Sequence, residues 1–109
     1  MGDGIVNEPL SATLDALVVA LCADYERRES LINSRTLPSR VECEYRYLNA
    51  KIRLAAEEAV GEFYSTTFID DVGRRIGYAK TELGFMCEKS YKVKKLALKR
   101  SIAKRLHLI

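Results

Sequence analysis

The chain has 109 residues, 48% hydrophobic and 30% charged, with a formal net charge of +3. That length supports one domain with a modest core, and that balance excludes a disordered chain. Two prolines, six glycines and no tryptophan leave little punctuation for many short strands, so the class expected is all-α.

The charge is unevenly spread. Residues 89–109 carry eight of the 18 Lys and Arg and no acid, while the other ten bases face all 15 acids. A basic end on an acidic body suits a polyanionic partner. The plainer alternative is that the body neutralises its own tail. Cys22, Cys43 and Cys87 are odd in number, widely spaced and without a C-x-x-C pair. They read as reduced thiols in the cytoplasm, each a small buried or half-buried hydrophobe, with no zinc site and no disulfide framework.

Residues 1–10, with Gly2, Gly4 and Pro9, read as a flexible leader. The apolar run 16–23 follows Asp3, Glu8 and Asp15 with no preceding Lys or Arg, which does not fit a secretion signal, and it is too short to cross a membrane. Ser11 is the expected cap of a first helix whose apolar face is Leu14, Leu17, Val18, Leu21 and Tyr25. Beyond Cys22 the polar stretch ADYERRES suggests a helix projecting into solvent and ending near Ile32.

Residues 33–40 form a turn, closed by Pro38, which disfavours helix in the residue before it. Ser39 and Glu42 have capping-box spacing, and Val41, Tyr45, Leu48, Ile52, Ala55 and Ala59 alternate four and three apart. Over so few heptads this is a long bundle helix, expected to pair with the first as an antiparallel hairpin. After a break at 61–67, Thr67 and Asp70 again suggest a capping box, with Asp70 and Asp71 at a helix N-terminus. The set Phe68, Val72, Ile76, Ala79 and Leu83 predicts a third helix ending at Gly84. Gly73 and Gly77 inside it imply close approach of a neighbouring helix. A fourth, basic helix follows Phe85–Met86–Cys87.

The expected architecture is thus a small four-helix domain. It divides into the leader (1–10), a helical hairpin for oligomerisation or scaffolding (11–62), and a helix-turn-helix region (63–109). The stretch LGFMCEKSYKVKKLALKRSIAKRL (83–106) resembles the C-terminal signature of phage regulators of the ArpU/RinA type. The positions carrying the likeness are Leu83, Gly84 and Phe85, then Tyr91, Lys92, Val93, Lys94 and Lys95, then Ala97 and Leu98, with Ala103 and Leu106 near the end. Met86 departs from it, standing where the family has a serine cap. The resemblance implies a DNA-binding domain like region 4 of sigma factors and control of late or packaging genes of a phage or prophage.

The DNA-binding residues expected are Lys89, Ser90, Lys92, Lys94, Lys95, Lys99 and Arg100. On a helical wheel Lys89, Lys92 and Lys99 share a side with Lys95 and Arg100 at its flanks. Val93, Leu96, Ala97 and Ala103 would face the preceding helix. Tyr91, Leu98, Ile102 and Leu106 form a further apolar strip, expected to serve a homodimer. DNA is the expected partner, with RNA polymerase a further one and a membrane surface disfavoured. The competing reading is a helical structural or interaction protein whose basic tail docks an acidic partner. No nucleophile constellation, metal-ligand cluster or phosphate-binding glycine loop is present, and His107 is the only histidine. Neither an enzyme nor a cofactor is expected.

Overall fold

A computed structural model describes residues 9–83 and 86–109. They form five α-helices and no strand: α1 Ala12–Ala23, α2 Tyr25–Ser34, α3 Ser39–Val60, α4 Ser65–Gly73 and α5 Glu88–Arg105, with a 3₁₀ turn at Tyr78–Lys80. The all-α class holds. No described helix is long and apolar enough to cross a membrane.

Ser11 caps α1 as expected, its Oγ accepting from the Leu14 amide at 3.3 Å. The first helix then breaks at Asp24, whose amide still donates to Ala20 O while its carbonyl accepts from Arg28 N. The buried face of α1 is Val18, Val19 and Cys22, and Leu17 is 41% exposed. The stripe expected from Leu14 to Tyr25 is therefore rotated, because α1 packs on α4 and α5 rather than pairing chiefly with α3 in the expected hairpin.

The polar stretch does not project into solvent. Arg28 on α2 is only 3% exposed, and each of its three guanidinium nitrogens donates a hydrogen bond. Nε donates to Asn49 Oδ1 at 2.6 Å, one terminal nitrogen to Leu21 O at 2.6 Å, and the other to Asp24 at 3.3 Å. Asn49 on α3, 1% exposed, returns hydrogen bonds to Tyr25 O and Glu29. A buried charge with every guanidinium nitrogen hydrogen-bonded offsets part of the desolvation penalty of a bare one, so this network helps set how α2 lies on α3.

Neither capping box forms. Pro38 occupies the N-cap of α3 and Tyr64 that of α4, and neither makes a side-chain cap hydrogen bond. Glu42 instead pairs with Arg46 at 2.8 Å. Helix α3 buries Asn49, Ile52, Ala55, Ala56 and Val60, which shares Ile52 and Ala55 with the expected seam and leaves Val41, Tyr45, Leu48 and Ala59 half-buried. It ends at Gly61, where φ is +88°.

Helix α4 stops at Gly73 rather than running to Leu83. The cause is a turn with Arg75 in the left-handed region (φ 56°), where Ile76 N donates to Asp71 O and Arg75 N to Val72 O. This is the hydrogen-bond pattern of a Schellman end, with arginine in the glycine position. Gly84, the expected terminator, lies outside the described residues. Gly73 meets its expectation: a Cβ there would lie 2.6 Å from Ala23 N. Gly77 does not, having nothing within 4 Å of such an atom. Residues 74–87 therefore connect α4 to α5, a longer link than the short turn expected.

One core joins all of this. Val18 of α1, Ile52 of α3, Phe68 and Val72 of α4, and Tyr91, Leu98 and Ile102 of α5 belong to a single apolar cluster. Of the three thiols, Cys22 is buried, but Cys43 and Cys87 are exposed, contrary to expectation. Cys43 sits on an outward position of α3 and Cys87 at the N-cap of α5, places that spacing alone did not separate from core.

Candidate nucleic-acid interface

Helix α5 has one acid, Glu88, in its first turn, and Lys104 and Arg105 in its last. That order suits the helix dipole at both ends. The inward side is Tyr91, Leu98, Ile102 and Ala103. The apolar strip read as a dimer contact is thus inside the chain's own core, with Leu98 and Ile102 both 0% exposed. Any dimer must form elsewhere.

Packing sorts the basic residues into two groups. Lys95 and Lys99 are held inward. Lys95 Nζ donates to Ile76 O at 2.6 Å and lies 5.5 Å from the centre of the Tyr91 ring. Burial, with Lys99 nearby, holds its pKa below the ordinary value. Lys99 donates to Asp15 of α1 at 2.8 Å, its side chain 20% exposed. These two ammonium groups tie α5 to the rest of the fold instead of standing beside Lys89. Arg105 also turns inward, pairing with Glu58 at 3.3 Å, and Ser101 donates to the same carboxylate.

Lys89 and Lys92 are exposed. Lys92 contacts Glu88 one turn back at 2.9 Å, with side chains 68% and 57% exposed, a solvent-screened pair of little strength. Ser90 and Lys94 are half-buried on one flank of this surface, and Arg100, also half-buried, lies within it between Lys89 and Val93. Val93, expected against the preceding helix, is 50% exposed. Lys104, absent from the expected set, is exposed as well. Its signal was the spacing 89, 93, 100 and 104, which keeps four residues on one helix face. The outward strip is therefore Lys89, Lys92, Val93 and Lys104.

Behind it, a buried polar cluster fixes where α5 begins. Asp71 on α4, 3% exposed, accepts from Tyr91 Oη and from Thr81 Oγ1, both at 2.6 Å. Burial, and the hydrogen bond to Asp71, push the Tyr91 phenol well above its ordinary pKa. The tyrosine ring stacks on Phe68 with centroids 5.2 Å apart. Asp71 was expected at a helix N-terminus, and it lies in the last turn of α4. Its role instead is to gather residues 76–81 and the first turns of α5, which aims Lys89 and Lys92 outward.

Among the described residues no group of three or more His, Cys, Asp or Glu is placed to hold a metal ion. One cleft of about 260 Å³ is lined by Cys22, Tyr25, Thr66, Ile69, Asp70 and Arg74. Compared with protein-family models, with curated proteins and with solved structures, the chain matches none.

Proposed function

We propose that this chain binds DNA through the outward face of α5 and acts as a transcriptional regulator of the phage or prophage type. The observation carrying the reading is the strip Lys89, Lys92 and Lys104, three exposed cations on a helix with a single acid. Each cation that meets a phosphate releases condensed counterions, which supplies sequence-independent affinity. Lys89 and Lys104 are separated by about 22 Å of helix at 1.5 Å per residue, more than the roughly 12 Å width of the major groove. A helix crossing that groove would rest its two basic ends on opposite phosphate backbones. Val93 would then lie between them, where an apolar side chain can meet a thymine methyl. Lys95 and Lys99 drop out of the contact set, while Ser90 and Lys94 remain on its flank and the half-buried Arg100 within it. The regulator class rests on the resemblance of residues 83–106 to ArpU/RinA-type proteins, with RNA polymerase as a further partner.

The test is a mobility shift of mixed-sequence duplex over a range of salt. Binding should fall with log[salt] at a slope of roughly −3, one unit per exposed lysine. Lys92→Glu should weaken it about tenfold or more at low salt without moving the melting temperature. A parent protein that fails to shift DNA at low salt would refute the proposal, as would a Lys92→Glu variant that binds as tightly. Retention of an acidic polypeptide without DNA binding would favour the rival interaction protein.

A further inference from the structure

Helix α3 carries a second heptad stripe, on the side away from the core. Cys43, Tyr47, Ala50, Leu54 and Glu57 alternate four and three apart. Tyr47 is 51% and Leu54 46% exposed, large apolar side chains without cover, and Cys43, Glu44, Tyr47 and Leu48 line a shallow concavity there. We infer that this stripe is a self-association surface on which α3 of a second copy lies antiparallel.

Charge complementarity selects both the occupant and its direction. With the two-fold axis near Leu48, Tyr47 packs on Ala50 of the second copy, Cys43 on its Leu54, and Arg40 meets its Glu57. Along one flank Glu44 comes beside Lys51 of the second copy. The two-fold repeats each contact, as an isologous interface requires. These groups are available for it. Arg40 and Glu44 pair only loosely within their own helix, at 3.8 Å with side chains 91% and 63% exposed. Lys51 Nζ hangs 5.4 Å from the centre of the Tyr47 ring, at the edge of the stripe. The other flank sets Arg46 toward Arg53, and Arg46 is already neutralised by Glu42 at 2.8 Å. A parallel pair would stack Arg40 on Arg40, Tyr47 on Tyr47 and Glu57 on Glu57. The antiparallel register relieves all three like-on-like contacts. A single helix pair is at the small end of interfaces, so the dimer should form in the micromolar range. The inference stands apart from the DNA reading, since α5 contributes nothing to the seam.

Sedimentation equilibrium from about 1 to about 500 μM tests it. The expected mass rises from 12.3 kDa toward twice that value. The double variant Tyr47→Asp, Leu54→Asp should stay monomeric with unchanged helical circular dichroism. Glu44→Lys should raise the dissociation constant about tenfold, and adding Lys51→Glu should recover most of that loss. Cross-linking reads the direction. In a Cys87→Ser background, Leu54→Cys should give an oxidised dimer through Cys43, while without it Cys43 should not link to its counterpart, about 16 Å away along the helices. A protein monomeric throughout, a double Asp variant that still dimerises, or a ready Cys43–Cys43 link would each overturn the inference.

Discussion

Removing one oxygen atom tests whether the cluster around Asp71 organises this fold. In Tyr91→Phe the ring keeps its packing against Phe68, at 5.2 Å, and Tyr78, at 5.7 Å. Only the hydroxyl is lost. That hydroxyl is one of two donors, both at 2.6 Å, to the same oxygen of a carboxylate that is 3% exposed. A hydrogen bond to a charged group contributes about 1.5–3 kcal/mol, and water cannot easily replace it in a closed site. The expected loss is therefore about 2 kcal/mol, or roughly 8 °C in melting temperature for a chain of this size. Thr81→Val removes the other donor and should cost a similar or smaller amount. The double variant leaves the carboxylate bare, so its loss should exceed the sum of the two singles. Urea unfolding followed by far-ultraviolet circular dichroism measures all three. A Tyr91→Phe protein within about 0.5 kcal/mol of the parent, or strict additivity in the double variant, would refute the reasoning.

The two glycines of α4 and its following turn should respond in opposite ways. Gly73→Ala would force a methyl to within 2.6 Å of Ala23 N and 2.7 Å of Cys22 C, backbone atoms that cannot turn aside. It should lose about 1–3 kcal/mol by overpacking, whereas Gly77→Ala, in open space with φ −91°, should be neutral or gain a few tenths of a kcal/mol. Equal melting temperatures for the two would sink the close-approach argument.

Acid should weaken the fold through two carboxylates. Hydrogen bonding from Arg27 holds Asp24 below its ordinary 3.8, and Ser101 with Arg105 holds Glu58 below 4.5. Between the folded and unfolded values the unfolded chain binds more protons, so stability rises with pH through that window. It is lost as pH falls below 4.5 and then 3.8. Melting curves from pH 6 to pH 3 should show the fall, and Asp24→Asn with Glu58→Gln should flatten it. An unchanged slope in that double variant would remove these groups as its cause.

Much of the local structure was legible in the chain. Composition and sparse glycine and proline indicate helix. Ser11, Pro38 and the break after Val60 mark real boundaries, and the final basic helix begins near Glu88, where the sequence suggests. These features depend on local hydrogen bonding and steric limits, which a few adjacent residues set. Spacing also shows that α5 has an apolar side and a basic one, but not which cations remain free. Lys95 and Lys99 differ from Lys89 and Lys92 only because Ile76 O and Asp15 happen to stand within reach, at 2.6 and 2.8 Å.

What only the tertiary structure decided depends on contacts between distant parts of the chain. The α1 stripe turns because α4 and α5, not the expected hairpin partner α3, cover it. Arg28 and Asn49 are buried although their residue types favour the surface, since Arg28 Nε donates to Asn49 Oδ1 across 21 positions and nearby groups of α1, α2 and the break between them take up their other hydrogen bonds. Helix α4 stops early because Arg75 adopts a left-handed turn and Asp71, one helix turn back, collects donors from Thr81 and Tyr91. A pattern of apolar residues specifies which side of a helix is greasy. Which neighbour covers that side, and which polar groups are satisfied by being covered, is settled only when all the helices are in place.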